Sequence, residues 1–303
     1  MRIAAFDFGS NSIKCLIAQS TSKDLKFLRD IRVTNRLAAS LDVNANISEE
    51  AFRNSTIAVS CIILQTCSSL RVTELLAVGT EALRQAANAA AFVEAMYNAT
   101  GLRIQIISAE AEAALAWEGV FSAANDRVGH MTLFDSGGAS TEIVSGLDGK
   151  ISQSISLPLG AVSLAKYFLH SDPINAADFQ SLSAAINAGV QLPFAQSGQL
   201  FGTGGGILAC AKVATKRKTT KPAELEGYKL SRAQLEEQIN LYKTTNLAER
   251  RKIPGMEAER ADIILPAAML YHAILLVCKA EYINVSTYGI RHGLIHRFLS
   301  VGK

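Results

Sequence analysis

Three short apolar runs in this chain each lead into a turn rich in glycine and serine. They are Asp7-Phe8-Gly9-Ser10-Asn11-Ser12, Asp135-Ser136-Gly137-Gly138-Ala139-Ser140 and Gly202-Thr203-Gly204-Gly205-Gly206. Glycine lacks a Cβ and tolerates positive φ, so successive backbone N–H groups at such turns can converge on a phosphate oxygen. Any one turn reads as well as an ordinary hairpin connection, which uses the same residue types. Three together, two with an aspartate at the same offset, point to phosphate. The expected cradle residues are Gly9, Ser10, Asn11, Ser12, Gly137, Gly138, Ala139, Ser140, Gly204 and Gly205. Ile207 stands where the last glycine of a dinucleotide fingerprint belongs, and no Walker-type G-x-x-x-x-G-K-[ST] run exists.

Asp7 and Asp135 each close a strand at the mouth of a turn. If the two halves of the chain are related by pseudo-symmetry, they face one another across a cleft. Their hard oxygens suit Mg²⁺, or another divalent cation such as Mn²⁺, and Glu142 could add a third carboxylate. The plain alternative is that an aspartate at a strand end braces its own turn.

The elements behind these turns follow from hydrophobic patterning. Strands are expected at Ile3 to Phe6, Ile13 to Ala18, Leu75 to Val78 and Arg103 to Ile107, and helices at Ser48 to Leu70, Glu81 to Ala99 and Ala109 to Ser122. The opening strand-turn-strand pattern returns at Met131, which argues for an internal duplication. Strands near Ile151 to Leu157 and at Tyr282 to Val285, helices at Ala176 to Leu192 and Ile207 to Ala214, and a closing helix from Gly289 to Leu299 complete the second half. The alternation implies an α/β class. A first domain over 1–124, completed by a helix within 290–303, and a second over 125–289 are expected. Thr215 to Gly227 reads as an exposed loop.

Composition narrows the function. The 303 residues are 49% hydrophobic and 19% charged, enough for two cores and without the signature of disorder. A net charge of +3 gives no general case for nucleic acid. The basic group Lys212, Lys216, Arg217, Lys218 and Lys221 reads first as a solvated loop and second as an attractor of polyanions. No signal-peptide pattern opens the chain, and the most apolar stretch, Ile263 to Cys278, is too short to span a membrane, so a cytoplasmic place without membrane contact is expected. Cys15, Cys61, Cys67, Cys210 and Cys278 show no paired metal spacing and read as buried free thiols. The histidines His130, His170, His272 and His296 lack ligand spacing, and Trp117 reads as core.

Eight blocks in order carry a family resemblance: FDFGSNS from Phe6, GTEALRQAAN from Gly79, IISAEAEAAL from Ile106, FDSGGASTEIV from Phe134, SLPLGAVSL from Ser156, GTGGGI from Gly202, ERADIILPA from Glu259 and STYGIRHGLI from Ser286. The sequence resembles the Ppx/GppA exopolyphosphatase and guanosine pentaphosphate phosphatase family, within the actin, Hsp70 and sugar-kinase superfamily. The resemblance implies two similar actin-like (ribonuclease H-like) α/β domains with a ligand cleft between them. It also implies hydrolysis of a terminal phosphoanhydride of polyphosphate or guanosine pentaphosphate with Mg²⁺. By position it makes Glu112 the base that activates water and Arg84 a phosphate-binding arginine. Glu110 and Glu112 near a helix N-terminus also have the simpler reading of complementing the macrodipole.

The sequence departs from the family pattern at Ala139 in place of a glycine, which predicts a second turn that is slightly different or slightly strained. Further departures are Ala111 in the IISAEAEAAL block, and Thr287, Tyr288 and His292, where Asp, Gly and Glu are common. These keep a nucleotide-binding regulator in view as the alternative, with a kinase of the same fold behind it. Many family members carry a further C-terminal helical domain, so a chain stopping at Lys303 is expected to prefer short polyphosphates. Oligomeric state stays open, with a homodimer among the expectations.

Overall fold

The computed structural model describes residues 1–21, 24–123, 129–192, 198–217 and 222–301. Two compact units divide the chain: one runs to Ser122 and resumes at Ile290, the other spans Ala123–Gly289.

In the first unit β1 (Arg2–Phe8), β2 (Ser12–Ser20) and β3 (Leu25–Thr34) form an antiparallel meander. After α1 (Glu49–Cys61), β4 (Glu74–Gly79) pairs with β1 in parallel. α2 (Glu81–Gln85) and α3 (Ala89–Thr100) precede β5 (Gln105–Ile106), which pairs with β4 in parallel, and α4 (Ala109–Ser122) ends this part. The sheet order is β3-β2-β1-β4-β5. β1 is apolar on both faces because both are covered. Ala4, Phe6 and Phe8 pack with Phe92 of α3, while Ile3 and Ala5 join a second cluster on the opposite face.

In the second unit β6 (His130–Ser136), β7 (Thr141–Leu147) and β8 (Lys150–Leu157) repeat the meander. α5 (Ala161–Phe168) and α6 (Ala176–Gly189) lead to β9 (Gln199–Thr203), which lies parallel to β6. α7 (Gly205–Ala214), β10 (Lys229–Ser231), α8 (Arg232–Thr244), α9 (Leu247–Arg250), α10 (Ile264–Val277) and β11 (Tyr282–Val285) follow. The order is β10-β11-β9-β6-β7-β8, so apart from the added edge strand β10 the second sheet repeats the first. The buried α10 centres this core, and Pro266 sits in its first turn, where no intrahelical donor is needed. α11 (Ile290–Val301) belongs to the first unit. There Ile295 joins the Ile3 and Ala5 cluster, and Gly293 lies so close to α4 that a Cβ would stand 2.0 Å from the Leu115 carbonyl oxygen.

The α/β class and the duplicated strand-turn-strand units are as the sequence implied. Several elements differ. The helix expected over Glu81 to Ala99 is two helices, because Ala86 is extended and the Asn88 carboxamide is engaged in both directions with the backbone of Ile47. The helix expected over Ser48 to Leu70 changes at Ile62 into a wider π-type turn to Cys67. The strand expected over Arg103 to Ile107 shrinks to two residues, and α5, β3 and β10 were not anticipated. All five cysteines are free thiols, yet Cys61 is exposed and Cys278 half-buried, contrary to the expectation of burial. Both lie near helix ends, where one flank faces solvent.

Candidate functional site

The first turn joins β1 to β2. The Gly9 N–H donates to the Ser12 carbonyl at 3.1 Å, and a Cβ on Gly9 would stand 3.3 Å from that oxygen. The Asn11 carbonyl accepts the N–H groups of Asn35 and Arg36, both at 3.1 Å, and the Ser10 carbonyl accepts that of Ala38 at 2.9 Å. Its carbonyls are held from behind, and the N–H groups of Ser10 and Asn11 have no backbone acceptor among the described residues. Asp7 is buried, and its Oδ2 accepts from Lys14 Nζ at 3.0 Å. Asp7 Oδ1, Asn11 Nδ2 and Ser12 Oγ are buried and have no partner among the described residues. Each unmatched buried polar atom costs about 1–3 kcal/mol, so three at one turn mark a place built for something polar to complete.

The second turn joins β6 to β7 with the same closure, Gly137 N–H to Ser140 carbonyl at 2.9 Å. Its carbonyls are taken by the N-terminus of α5: Gly137 accepts from Ala161 at 3.2 Å, and Gly138 from Val162 at 2.8 Å and Ser163 at 3.0 Å. Gly160 makes this possible, since a Cβ there would lie 2.2 Å from the Ala139 nitrogen. Of the two alternatives expected at Ala139, strain is absent. Neither it nor its neighbours in the turn have positive φ, and the residue that must be glycine is Gly160. Asp135 and Glu142 are register partners across β6 and β7, so both carboxylates share a face. Glu142 Oε1 accepts from Ser156 Oγ at 2.9 Å.

At the third turn Gly204 has φ +95°, and a Cβ on it would be 2.6 Å from the Ser136 carbonyl and 2.9 Å from Asp135 Oδ1. Close approach and backbone conformation both demand glycine. α7 begins at Gly205, earlier than the expected Ile207, and the buried Arg260 guanidinium lies where a Gly205 side chain would project. Arg260 Nε donates to Glu257 at 2.8 Å. Tyr271 donates its hydroxyl to the Thr203 carbonyl at 2.9 Å. Burial, with the negative charge of Asp135, pushes this phenol well above its ordinary pKa and keeps it a donor. The Ser286–Gly289 loop is fixed by Thr203 Oγ1, which donates to the Tyr288 carbonyl, and by Glu226, which accepts the N–H of Thr287 at 2.6 Å and its hydroxyl at 2.8 Å. Sequence reasoning missed Lys14, Gly160, Glu226 and Arg260, since only folding brings them to the turns.

Glu112 lies in the first turn of α4 and is only 6% exposed. Its Oε2 accepts from Arg84 Nη1 at 2.7 Å, and the same nitrogen donates to the Ile107 carbonyl at 2.9 Å. Arg84 Nε and Nη2 reach Glu81 Oε2 at 2.8 and 2.5 Å. Burial on its own would lower the Arg84 pKa, but the charges and hydrogen bonds of Glu112 and Glu81 raise it. The exposed Glu110 instead has its carboxyl held low by its own backbone N–H and the Ser108 hydroxyl. Helix capping therefore accounts for Glu110, whereas Glu112 turns to the half-buried Arg84.

A family model described as the Ppx/GppA phosphatase family matches residues 16–301. The chain belongs to this family. A Haemophilus influenzae protein provisionally named exopolyphosphatase is 27% identical over 97% of this chain and 90% of its own length. A Vibrio parahaemolyticus guanosine-5'-triphosphate,3'-diphosphate pyrophosphatase is 25% identical over 98% of this chain, which spans 59% of that longer protein. Among solved structures, the Aquifex aeolicus member of the Ppx/GppA family superposes with a TM-score of 0.83 at 25% identity, covering 100% of this chain and 99% of its own. The two-sheet fold is thus the actin-like fold of this family, and the names of the relatives are those of hydrolases. They do not favour the regulator alternative.

The donor set in this Ppx/GppA phosphatase fits a hard divalent cation in one way only. Among the described residues no group of three or more His, Cys, Asp or Glu stands ready to hold a metal. What exists is one carboxylate oxygen without a partner on Asp7 and a cross-strand pair on the other unit. Mg²⁺ is commonly held by one or two carboxylates with water and phosphate oxygens, which matches sparse ligation of this kind.

The basic group is neutralised where it is described: Lys212 pairs with Glu257, Lys216 with Glu237 at 3.0 Å and Arg217 with Glu224 at 3.2 Å. Lys218 and Lys221 lie outside the described residues. Trp117 is core, stacked on Phe121. Among the described residues no helix is long and apolar enough to cross a membrane.

Proposed function

We propose that this Ppx/GppA phosphatase removes the terminal phosphate of inorganic polyphosphate by hydrolysis, with guanosine pentaphosphate as a further substrate. The observation that carries this reading is the first turn, where backbone N–H groups, an amide donor and a hydroxyl stand unmatched beside the half-paired Asp7. Such a set binds phosphate oxygens and is poorly suited to an apolar ligand. The turns at Gly9–Ser12 and Gly137–Ser140 bind phosphate oxygens, as does the α7 N-terminus at Gly204 and Gly205. Glu112 orients a water molecule and takes its proton as the oxygen attacks phosphorus, and the bond to the bridging oxygen breaks. Arg84 holds the Glu112 carboxylate in place and meets the terminal phosphate.

Asp7, Asp135 and Glu142 are the carboxylates that would hold Mg²⁺, which when bound neutralises charge on phosphate oxygens and on the leaving chain. A polyphosphate leaving group stabilised in this way requires no separate general acid. Phosphate release from polyphosphates of defined length and from guanosine pentaphosphate, with and without Mg²⁺, tests the reading. Binding of these anions without any release, in wild type as in Glu112→Gln, rejects it.

A further inference from the structure

The guanidinium edge made by Nε and Nη2 is one whose parallel donors match a carboxylate or a phosphate. In Arg84 that edge is taken by Glu81: both nitrogens reach Glu81 Oε2, and Gln85 Nε2 holds the other oxygen at 2.7 Å. The opposite nitrogen, Nη1, is spent on Glu112 and the Ile107 carbonyl. Of five N–H groups, four are engaged within the protein, which leaves one for a phosphate. Arg84 therefore bridges two carboxylates, and a dianionic phosphate approaching it meets a local charge of two negatives and one positive.

The two carboxylates differ in freedom. The Glu112 side chain is 8% exposed, while that of Glu81 is 23% exposed on the first residue of a helix of five residues. Glu81 has room to swing into water; Glu112 does not. Like charge and limited space make simultaneous contact of Glu81 and a phosphate with the same edge unfavourable.

We propose that Glu81 is a positioning residue that holds the phosphate-binding edge of Arg84 and yields it to the terminal phosphate, so that it lowers the affinity for both substrate and released phosphate. This deepens the phosphatase reading above and rests on it. Glu81 acts as an internal anion in exchange with the ligand: it keeps Arg84 aligned with Glu112 between turnovers and recaptures the guanidinium as inorganic phosphate leaves. In energetic terms a part-exposed carboxylate pair is modest, so displacement by a multiply charged phosphate is within reach.

The test compares wild type, Glu81→Gln, Arg84→Lys and the double variant in the full chain. Calorimetry measures binding of tripolyphosphate and of inorganic phosphate, and phosphate release is measured in parallel. Glu81→Gln keeps the size and removes the charge, so it is expected to bind both anions about three- to tenfold more tightly. KM should fall by the same factor and product inhibition should strengthen. The gain should vanish when Arg84→Lys is the background, which a role in folding would not produce. Glu81→Ala should move affinity in the same direction and replaces the glutamine variant if that one is unstable. Unchanged or weaker anion binding in these variants overturns the proposal, as does a gain that persists without Arg84. Wild-type enzyme that binds tripolyphosphate but releases no phosphate sinks the phosphatase reading alone, since the affinity comparison still decides the role of Glu81.

Discussion

The turn after β1 and the turn after β6 share one backbone solution and finish it differently. Both close with a glycine N–H on a serine carbonyl three residues on, at 3.1 and 2.9 Å. The second is sealed by helix α5, whose first N–H groups consume its carbonyls and whose approach depends on Gly160. The first is backed by an irregular segment and keeps three buried polar atoms without partners. Duplication thus supplied a pair of turns, and divergence left the carbonyls of one sealed by a helix and the other with buried polar atoms unmatched. The same division holds for the acids. The first unit carries a buried Glu112 on a half-buried arginine, whereas the second carries a cross-strand carboxylate pair.

The sharpest way to break this division is to remove the acid assigned to chemistry. Glu112→Gln is expected to lower the rate of phosphate release about 10²- to 10⁴-fold in a chain that still folds, while Glu110→Gln is expected to leave the rate alone. Equal effects at both positions would refute the assignment of Glu112.

Next in size is the packing of the second turn. Gly160→Ala forces a Cβ to within 2.2 Å of the Ala139 nitrogen and should destabilise the protein by about 3 kcal/mol or more in a denaturant titration. Gly137→Ala, with its Cβ 3.4 Å from the Ser140 carbonyl, should cost no more than about 1 kcal/mol. A mild Gly160 variant would mean that α5 does not seal the turn.

The hydroxyl groups sharpen the comparison further. Thr141 is fully buried, and its Oγ1 donates to the Leu159 carbonyl at 2.6 Å, so Thr141→Val should cost about 1–2 kcal/mol. Ser12→Ala removes a hydroxyl without a partner. It should leave stability unchanged or improve it slightly, yet raise KM about tenfold. Loss of stability without loss of affinity would reverse the roles given to the two turns.

A last comparison concerns pH. His292 packs edge-on against Phe27, near Arg291, Asp30 and His296, and burial followed by the charge of Arg291 pushes its pKa down to about 3. The folded protein keeps this imidazole neutral while the unfolded chain takes up a proton near pH 6.5. Its contribution is therefore complete above about pH 6.5 and is lost as pH falls toward 3. Melting temperatures across that interval should decline less steeply for His292→Gln than for wild type.

Much of this was legible because it is local in sequence. The strand-turn-strand units, the α4 helix and β11 follow from apolar runs and turn residues, and the duplicated Asp-x-Gly pattern marks the equivalent turns. β3 was missed because as an edge strand it is mostly half-exposed and shows no clean alternation. The break between α2 and α3 depends on Asn88 reaching Ile47, and the need for glycine at position 160 on a turn some twenty residues earlier. The pairing of Arg84 with Glu81 lies within one helical turn and was open to a spacing argument, yet it was masked by the role the family suggested for the arginine.

The helix that carries Glu112 has its partner beyond the whole of the second unit in sequence. α11 reaches the ribosome exit only after all of Ala123–Gly289 has been made, and it brings Ile295 to Ile3 and Ala5 and Gly293 to Leu115. In vectorial synthesis the middle unit is therefore free to mature first, while the opening unit waits with an apolar face uncovered. A nascent chain that has not yet reached α11 lacks the clamp on the helix of Glu112, so that helix completes its packing only after the second unit has been made.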